Sequence, residues 1–270
     1  MDKNNTNKKL IHALKKELES ANRKEAQLHR QAGKSESFYK DWVQEKVPKG
    51  LYDTLQRAFS KAFYAVFKNG IGIIEQSYDK EELAADYDVR NFAIDRKGSR
   101  REMRKLKHSA ARSDFLNMSI TTVEGVGLGA FGIGLPDIVL FIGMILKGIY
   151  EVSLHYGYDY DSNMEKYLIL KMMGTALSKG DKWEEGNREI DEIFQAPFSV
   201  DEEMLQREIE YTSQIFATDM ITLKFIQGIP IVGIIGGVFN PIYYHKILNY
   251  VKVKYYKRFL NDKLMTCDME

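Results

Sequence analysis

The chain has 270 residues, 44% of them hydrophobic and 29% charged, with a formal net charge of +1. That length is enough for one large domain or two small ones, with a core that needs no metal or disulfide staple. The single cysteine, Cys267, excludes an internal disulfide and fits a reducing compartment.

The first 50 residues hold no continuous apolar run, so no signal peptide is expected, and the cytosol or the cytosolic face of a membrane is the expected location. Residues 1–38 read as a charged helix standing apart from the rest. Ile11, Leu14, Leu18, Ala21 and Leu28 form a helical stripe, but it is short and broken at Glu25, so a mobile appendage is expected rather than a stable coiled coil. Pro48 is a favoured first-turn residue, and the stripe Leu51, Leu55, Phe59, Ala62, Val66 carries a helix to a stop at Asn69-Gly70. Residues 71–98 are mixed, a further short helix through Leu83 or a partly buried connector. Ser99 with Glu102 makes a capping box that opens a basic helix running to about Met118.

The stretch from Ile120 to Tyr156 is apolar and glycine-rich, interrupted by single charges at Glu124, Asp137, Lys147 and Glu151. Thr121 and Glu124 repeat the capping-box pattern at its entrance. Gly125, Gly129 and Gly132 recur on one helical face, with Gly127 and Gly134 on a neighbouring one. Glycine inside a helix costs roughly 1 kcal/mol relative to alanine, so this run calls for close helix packing through small residues, with a glycine-rich loop as the competing reading. Pro136 opens a second helix with Asp137 at its positive end. The expectation is a helical hairpin over 120–156, packed through Gly125, Gly129, Gly132, Gly134, Pro136 and Asp137.

Ser162 with Glu165 caps the next helix, which Gly180 ends. An acidic segment follows over 181–198. Ser199 with Glu202 caps a long amphipathic helix with the stripe Leu205, Ile209, Thr212, Phe216, Met220, Leu223. Gly228-Ile229-Pro230 breaks it. The second apolar stretch, Phe225 to Tyr244, carries no charge, and Asn240-Pro241 starts the last helix, running to about Leu260. Residues 263–270 form a polar tail. The two apolar stretches share a plan and are expected to pack against each other as the centre of the fold. No segment alternates with period 2, so the protein is assigned as all-α, with a single helical domain over 39–262.

Charge is distributed unevenly. Residues 90–112 hold nine Lys/Arg against Asp95 and Glu102, a local net of +7, whereas residues 181–210 hold eleven Asp/Glu against Lys182, Arg188 and Arg207, a local net of −8. The basic block attracts phosphates, and Arg100, Arg101, Arg104, Lys105 and Lys107 are its candidate anionic-lipid residues. The plain alternative is two solvated faces that partly neutralise each other. Tyr250, Lys252, Lys254, Tyr255, Tyr256, Lys257 and Arg258 fit a stacking platform for single-stranded nucleic acid, a membrane interface, or an amphipathic helix with its tyrosines half in the core.

Other motifs fail on spacing. Gly33-Lys34-Ser35 ends like a phosphate loop, but Leu28 stands where its first glycine belongs. Asp159, Asp161 and Asn163 begin like a calcium loop, but Met164 and Leu170 occupy its glycine and glutamate positions. His12, His29, His108, His155 and His245 are scattered, so no zinc site is expected. Glu124 and Asp137 flank the glycine run. A carboxylate pair in an apolar setting can titrate unusually, but each also suits the first turn of a helix.

Thr121-Thr122-Val123-Glu124-Gly125, the run into Gly134-Leu135-Pro136-Asp137, Leu140-Phe141 to Tyr150-Glu151, Tyr156-Gly157-Tyr158, Ile229-Pro230-Ile231-Val232-Gly233 and Asn240-Pro241-Ile242-Tyr243-Tyr244 resemble the EcsC protein family, in order, over roughly 40–260. The resemblance leaves the N-terminal 35 residues outside. It implies a bacterial protein with a membrane-linked role, since the family takes its name from a gene beside an ABC transporter. It supplies no established activity and no catalytic residues. The expectation is a non-enzymatic, amphitropic protein, peripheral to the inner face of the cell membrane and accessory to a membrane transporter. Its partners are an anionic membrane surface or a membrane protein complex, with no nucleic acid, cofactor or metal. The alternatives are a soluble carrier of a lipid or other apolar ligand, and an enzyme using Glu124 and Asp137.

Overall fold

The structure, a computed structural model, describes residues 3–33, 49–111, 136–226 and 241–269. All regular structure among them is helical. In chain order the helices are α1 (Lys3–Ala32), α2 (Lys49–Ala65), α3 (Ile71–Glu75), α4 (Lys80–Lys97), α5 (Arg100–Ala111), α6 (Pro136–His155), α7 (Asn163–Leu177), α8 (Gly180–Gln195), α9 (Glu202–Ile226) and α10 (Pro241–Met269). The all-α assignment holds, with one core running through all of them, α3 contributing Ile74.

Local chemistry explains most boundaries. Ser162 Oγ accepts the Glu165 N–H at 3.1 Å and starts α7, as its capping box predicts. For α9 the cap is Asp201, whose Oδ1 accepts the Met204 N–H at 2.8 Å, not Ser199. Asp79 caps α4 in the same way through the Glu82 N–H, and Gly98 ends that helix in the left-handed conformation, φ 54°. Residues 80–97 are thus a full helix rather than a connector. Asn69-Gly70 does not stop α2; the chain passes through a π-helical turn, Val66–Gly70, straight into α3. The acidic residues after Gly180 form α8, which buries Trp183, Ile190 and Ile193 on one face.

α10 is the hub. It packs against α1, α6 and α7, while α9 packs against α2 and α7. The described parts of the two apolar stretches therefore meet, as expected, through α6 and α10. The close approach falls at Gly148, where an added Cβ would lie 2.6 Å from Tyr244 Oη and 3.3 Å from Leu248 Cδ1. Phe141 meets Tyr243 edge-on nearby, centroids 6.1 Å apart. The first arm of the expected hairpin lies outside the described residues.

The largest correction concerns α1. It is helical, but it is not a free appendage: Leu10, Leu14 and Ala21 are buried, and the helix packs along α10 with further contacts to α4, α5 and α8. His29 stacks on Trp183 of α8, centroids 5.0 Å apart. Glu25, the expected break in the stripe, is where α1 is pinned, because it accepts hydrogen bonds from Lys254 and Lys257 of α10. α10 itself runs through Met269, beyond the expected boundary at 262.

Candidate functional site

Met103, Leu106 and Ala110 set the buried side of α5. Arg101, Arg104 and Lys105 are exposed. Arg100 and Arg104, one turn apart, both donate to Glu17 Oε1 of α1, at 2.7 and 3.2 Å, and the Tyr256 hydroxyl donates to Oε2 at 3.1 Å. Burial pushes the Glu17 carboxyl up, but the Arg100 and Tyr256 hydrogen bonds and the two guanidinium charges outweigh it and hold it below the ordinary range. Lys107, one turn further on, places its ammonium 5.0 Å from the Tyr256 ring centroid. Burial lowers the Lys107 pKa; Glu17 opposes that, and Arg104 and Lys24 reinforce it. Lys105 and Lys97 share Glu102. One buried carboxylate thus answers two arginines, and Lys24 and Lys107 add positive charge beside them.

α4 flanks α5. Ser109 Oγ donates to Asp86 at 3.0 Å, and Lys97 reaches across to Glu102. The inner face of α4 carries Tyr87, Asn91 and Ile94 at helical spacing. Ala85, Val89, Phe92 and Arg96 fall on the opposite face, where Val89 is 69% and Phe92 67% exposed. Two large apolar side chains one turn apart, fully turned out of a folded domain, are unusual beside a basic helix. Spacing alone could have flagged them, since α4 carries its apolar residues on both faces.

Among the described residues no ion pair joins the acidic block to the basic one, contrary to the plain sequence expectation. The basic block turns to α1, and α8 turns to α10. Lys254 is fully buried, with Nζ 2.6 Å from Asp191 Oδ1, 3.1 Å from Glu25 Oε1 and 3.1 Å from Asn187 Oδ1. Lys257 binds the same two carboxylates. Arg258 forks onto buried Glu165, both contacts 2.9 Å, and the Tyr255 hydroxyl donates to the same carboxylate at 2.7 Å. Tyr250, Tyr255 and Tyr256 are at most 2% exposed. Neither stacking on nucleic acid nor lying at a membrane interface is open to these rings; they are core.

A second site was not foreseen from the sequence. α7, α8 and α9 enclose a half-open cleft of about 380 Å³. Its floor is made of small residues: Gly174 and Thr175 on α7 and Gly186 on α8, where an added Cβ would collide with the Thr175 hydroxyl. Lys171 crosses the cleft, 2.5 Å from Glu189 of α8 and 3.5 Å from Glu208 of α9. Burial, opposed by the Lys171 charge, pushes the Glu208 carboxyl up to about 7. Burial lowers the Lys171 pKa, but the facing carboxylates outweigh it and raise it overall. The cleft is lined about equally by polar and apolar surface and carries both signs of charge. Among the described residues no cluster of three His, Cys, Asp or Glu is placed to hold a metal ion.

Glu124, Gly125, Gly129, Gly132 and Gly134 lie outside the described residues, as do the side chains of Pro136 and Asp137. One helix among those described, at Ile138–His155, is long and apolar enough to cross a membrane, and 78% of it is buried inside the protein. No curated protein and no solved structure matches the chain. A model of the EcsC protein family matches residues 12–260. The match takes in two thirds of α1, which agrees with its docking on α10 and corrects the start expected near residue 40. By this match over nearly its whole length, the chain belongs to the EcsC protein family.

Proposed function

We propose that this protein is a non-enzymatic, amphitropic protein that docks on anionic membrane at the cytoplasmic face, as an accessory to a membrane transport system. The observation that carries this reading is the outer surface of α4 and α5. Exposed Arg101, Arg104 and Lys105 on α5 and the turned-out Val89 and Phe92 on α4 are carried by two helices packed against each other. A basic surface attracts anionic headgroups at about 1 kcal/mol per Lys/Arg, and apolar side chains beside it enter the acyl boundary. Neither attraction alone holds a protein firmly; the two together do.

The test is co-sedimentation with vesicles of phosphatidylglycerol and phosphatidylcholine, against phosphatidylcholine alone. Arg100 and Arg104 are poor positions to change, because both also neutralise buried Glu17. Arg101→Gln with Lys105→Gln removes two charges without touching that pair, leaves Lys97 to answer Glu102, and is expected to weaken binding about thirtyfold. Val89→Ser with Phe92→Ser is expected to weaken it at high and low salt alike, whereas the charge variant loses its effect as salt rises. Equal binding to both vesicle types, or wild-type binding by both double variants, would falsify the reading.

A further inference from the structure

The cleft between α7, α8 and α9 has features that helix packing does not require. Glu208 is 6% exposed, and its oxygens are poorly satisfied: Oε1 accepts from Thr212 Oγ1 at 3.4 Å, and Oε2 lies 3.5 Å from Lys171 Nζ. An ionised carboxylate offers about four acceptor positions, and a buried one left short of donors is costly. Lys171 makes its shorter contact, 2.5 Å, with Glu189 on the other wall. Space for a further donor lies alongside, above the small-residue floor. The volume, about 380 Å³, is in the range of small-molecule sites.

The rest of the lining says what that donor belongs to. Exposed Lys182 and, on the facing helix, Arg207 also line the cleft; Arg207 rests 3.1 Å from exposed Glu203, a solvent-screened pair that a ligand's negative group can replace. Glu185 and Glu189 add negative charge on the α8 wall, and Met204 and Ile215 supply apolar surface on α9. Both signs of charge, a donor-hungry carboxylate inside, cations outside and a short apolar wall complement a small zwitterion. A simple anion would meet Glu189 and Glu208, and an apolar chain would strand all of these charges.

We propose that this cleft binds a small zwitterion of the amino-acid type, its ammonium group donating to Glu208 and its acidic group held by Lys182 and Arg207. This site is separate from the α4–α5 surface, and its failure would leave the membrane reading standing. Lys171 acts as a positioning residue that spaces the two walls. The charged and titratable groups facing Glu208 are Lys171 and Tyr167 from α7, Glu185 and Glu189 from α8, and Arg207 and Tyr211 on its own helix. An ammonium ligand needs Glu208 ionised, so binding strengthens as pH rises through about 7.

The full chain, labelled with carbon-13 at Met and Ile methyls, is titrated with L-alanine, ethylammonium chloride and sodium acetate while the Met204 and Ile215 signals are followed. L-alanine is expected to shift both saturably at pH 8, ethylammonium to shift them more weakly, and acetate not at all. Affinity for L-alanine should fall about tenfold from pH 8 to pH 6. Glu208→Gln should abolish binding, and Lys182→Gln should weaken L-alanine while leaving ethylammonium unchanged. The proposal is overturned if neither amine shifts the two methyls saturably, if acetate binds as tightly as L-alanine, or if Glu208→Gln binds as wild type does. Should Glu208→Gln fail to fold, pH and Lys182→Gln decide: equal L-alanine affinity at pH 6 and pH 8, or no loss in Lys182→Gln, rejects it.

Discussion

At the scale of single residues, the buried charges set the sharpest expectations. Lys254 has no exposed surface and holds Glu25 and Asp191 together. Burial lowers its pKa and the two carboxylates counter that, so the ammonium depends on its partners. Lys254→Met leaves part-buried Glu25 and Asp191 facing each other with Lys257 alone between them. A loss of about 3–5 kcal/mol in urea unfolding is expected. Glu208 works in the opposite direction. An unfolded glutamate titrates near 4.5, and burial raises this one to about 7 in the fold. Its contribution to stability is therefore present below pH 4.5 and lost as pH rises through 7. Glu208→Gln removes that loss. Relative to wild type it should be more stable at pH 8 by on the order of 2 kcal/mol, with the advantage gone near pH 4; thermal melts at the two pH values read this directly. None of these buried acids was legible in the sequence. Glu25 interrupts an apolar stripe and reads as a break, because a sequence shows neither the Lys254 and Lys257 that answer it 229 and 232 residues later nor the dryness of the place where they meet.

At the scale of elements, periodicity and caps carried most of the fold. The stripes of α1, α2 and α9, the capping box of α7 and the proline starts of α6 and α10 are all where side-chain chemistry puts them. The misses share a cause. Ser199 and Asp201 both offer a cap to α9, and only the turn geometry selects Asp201. Gly180 follows α7 closely enough to read as its stop, but its left-handed φ of 52° sits at the head of α8 instead. α4 has one fully buried residue, Ile94, so its pattern is too weak to announce a helix. The basic face of α5 was legible as charge, whereas the apolar pair beside it was not singled out. Close packing between the apolar stretches was anticipated, but at another glycine. Gly148→Ala would press a methyl group onto Tyr244, whose ring is itself buried. A loss of about 1–3 kcal/mol is expected from such overpacking, measured by chemical denaturation, with Gly143→Ala as the control because nothing lies within 4 Å of its added Cβ.

At the scale of the whole molecule, the first and last described helices are bound together. α1 lies along α10, and their shared contacts include the carboxylates of buried Glu17 and part-buried Glu25. Removal of residues 1–33 strips Lys254 and Lys257 of one acid and uncovers the apolar side of α10. The shortened protein is expected to aggregate or to bind a hydrophobic dye at temperatures where the full chain does not, and an intact, soluble truncation with unchanged melting would contradict this docking. The clasp also imposes an order in time. On the ribosome α1 emerges well before α10, so Glu25 waits for Lys254 and Lys257, and Glu17 waits for the Tyr256 hydroxyl. α4, α5 and α8 offer α1 partial contacts earlier, but the side of α1 that lies along α10 has nothing to close against until α10 leaves the exit tunnel. Emergence of α10, rather than growth of any shorter stretch, becomes the event that converts a string of helices into a protease-resistant protein. Until then, the nascent chain is open to whatever membrane or chaperone surface stands beside it.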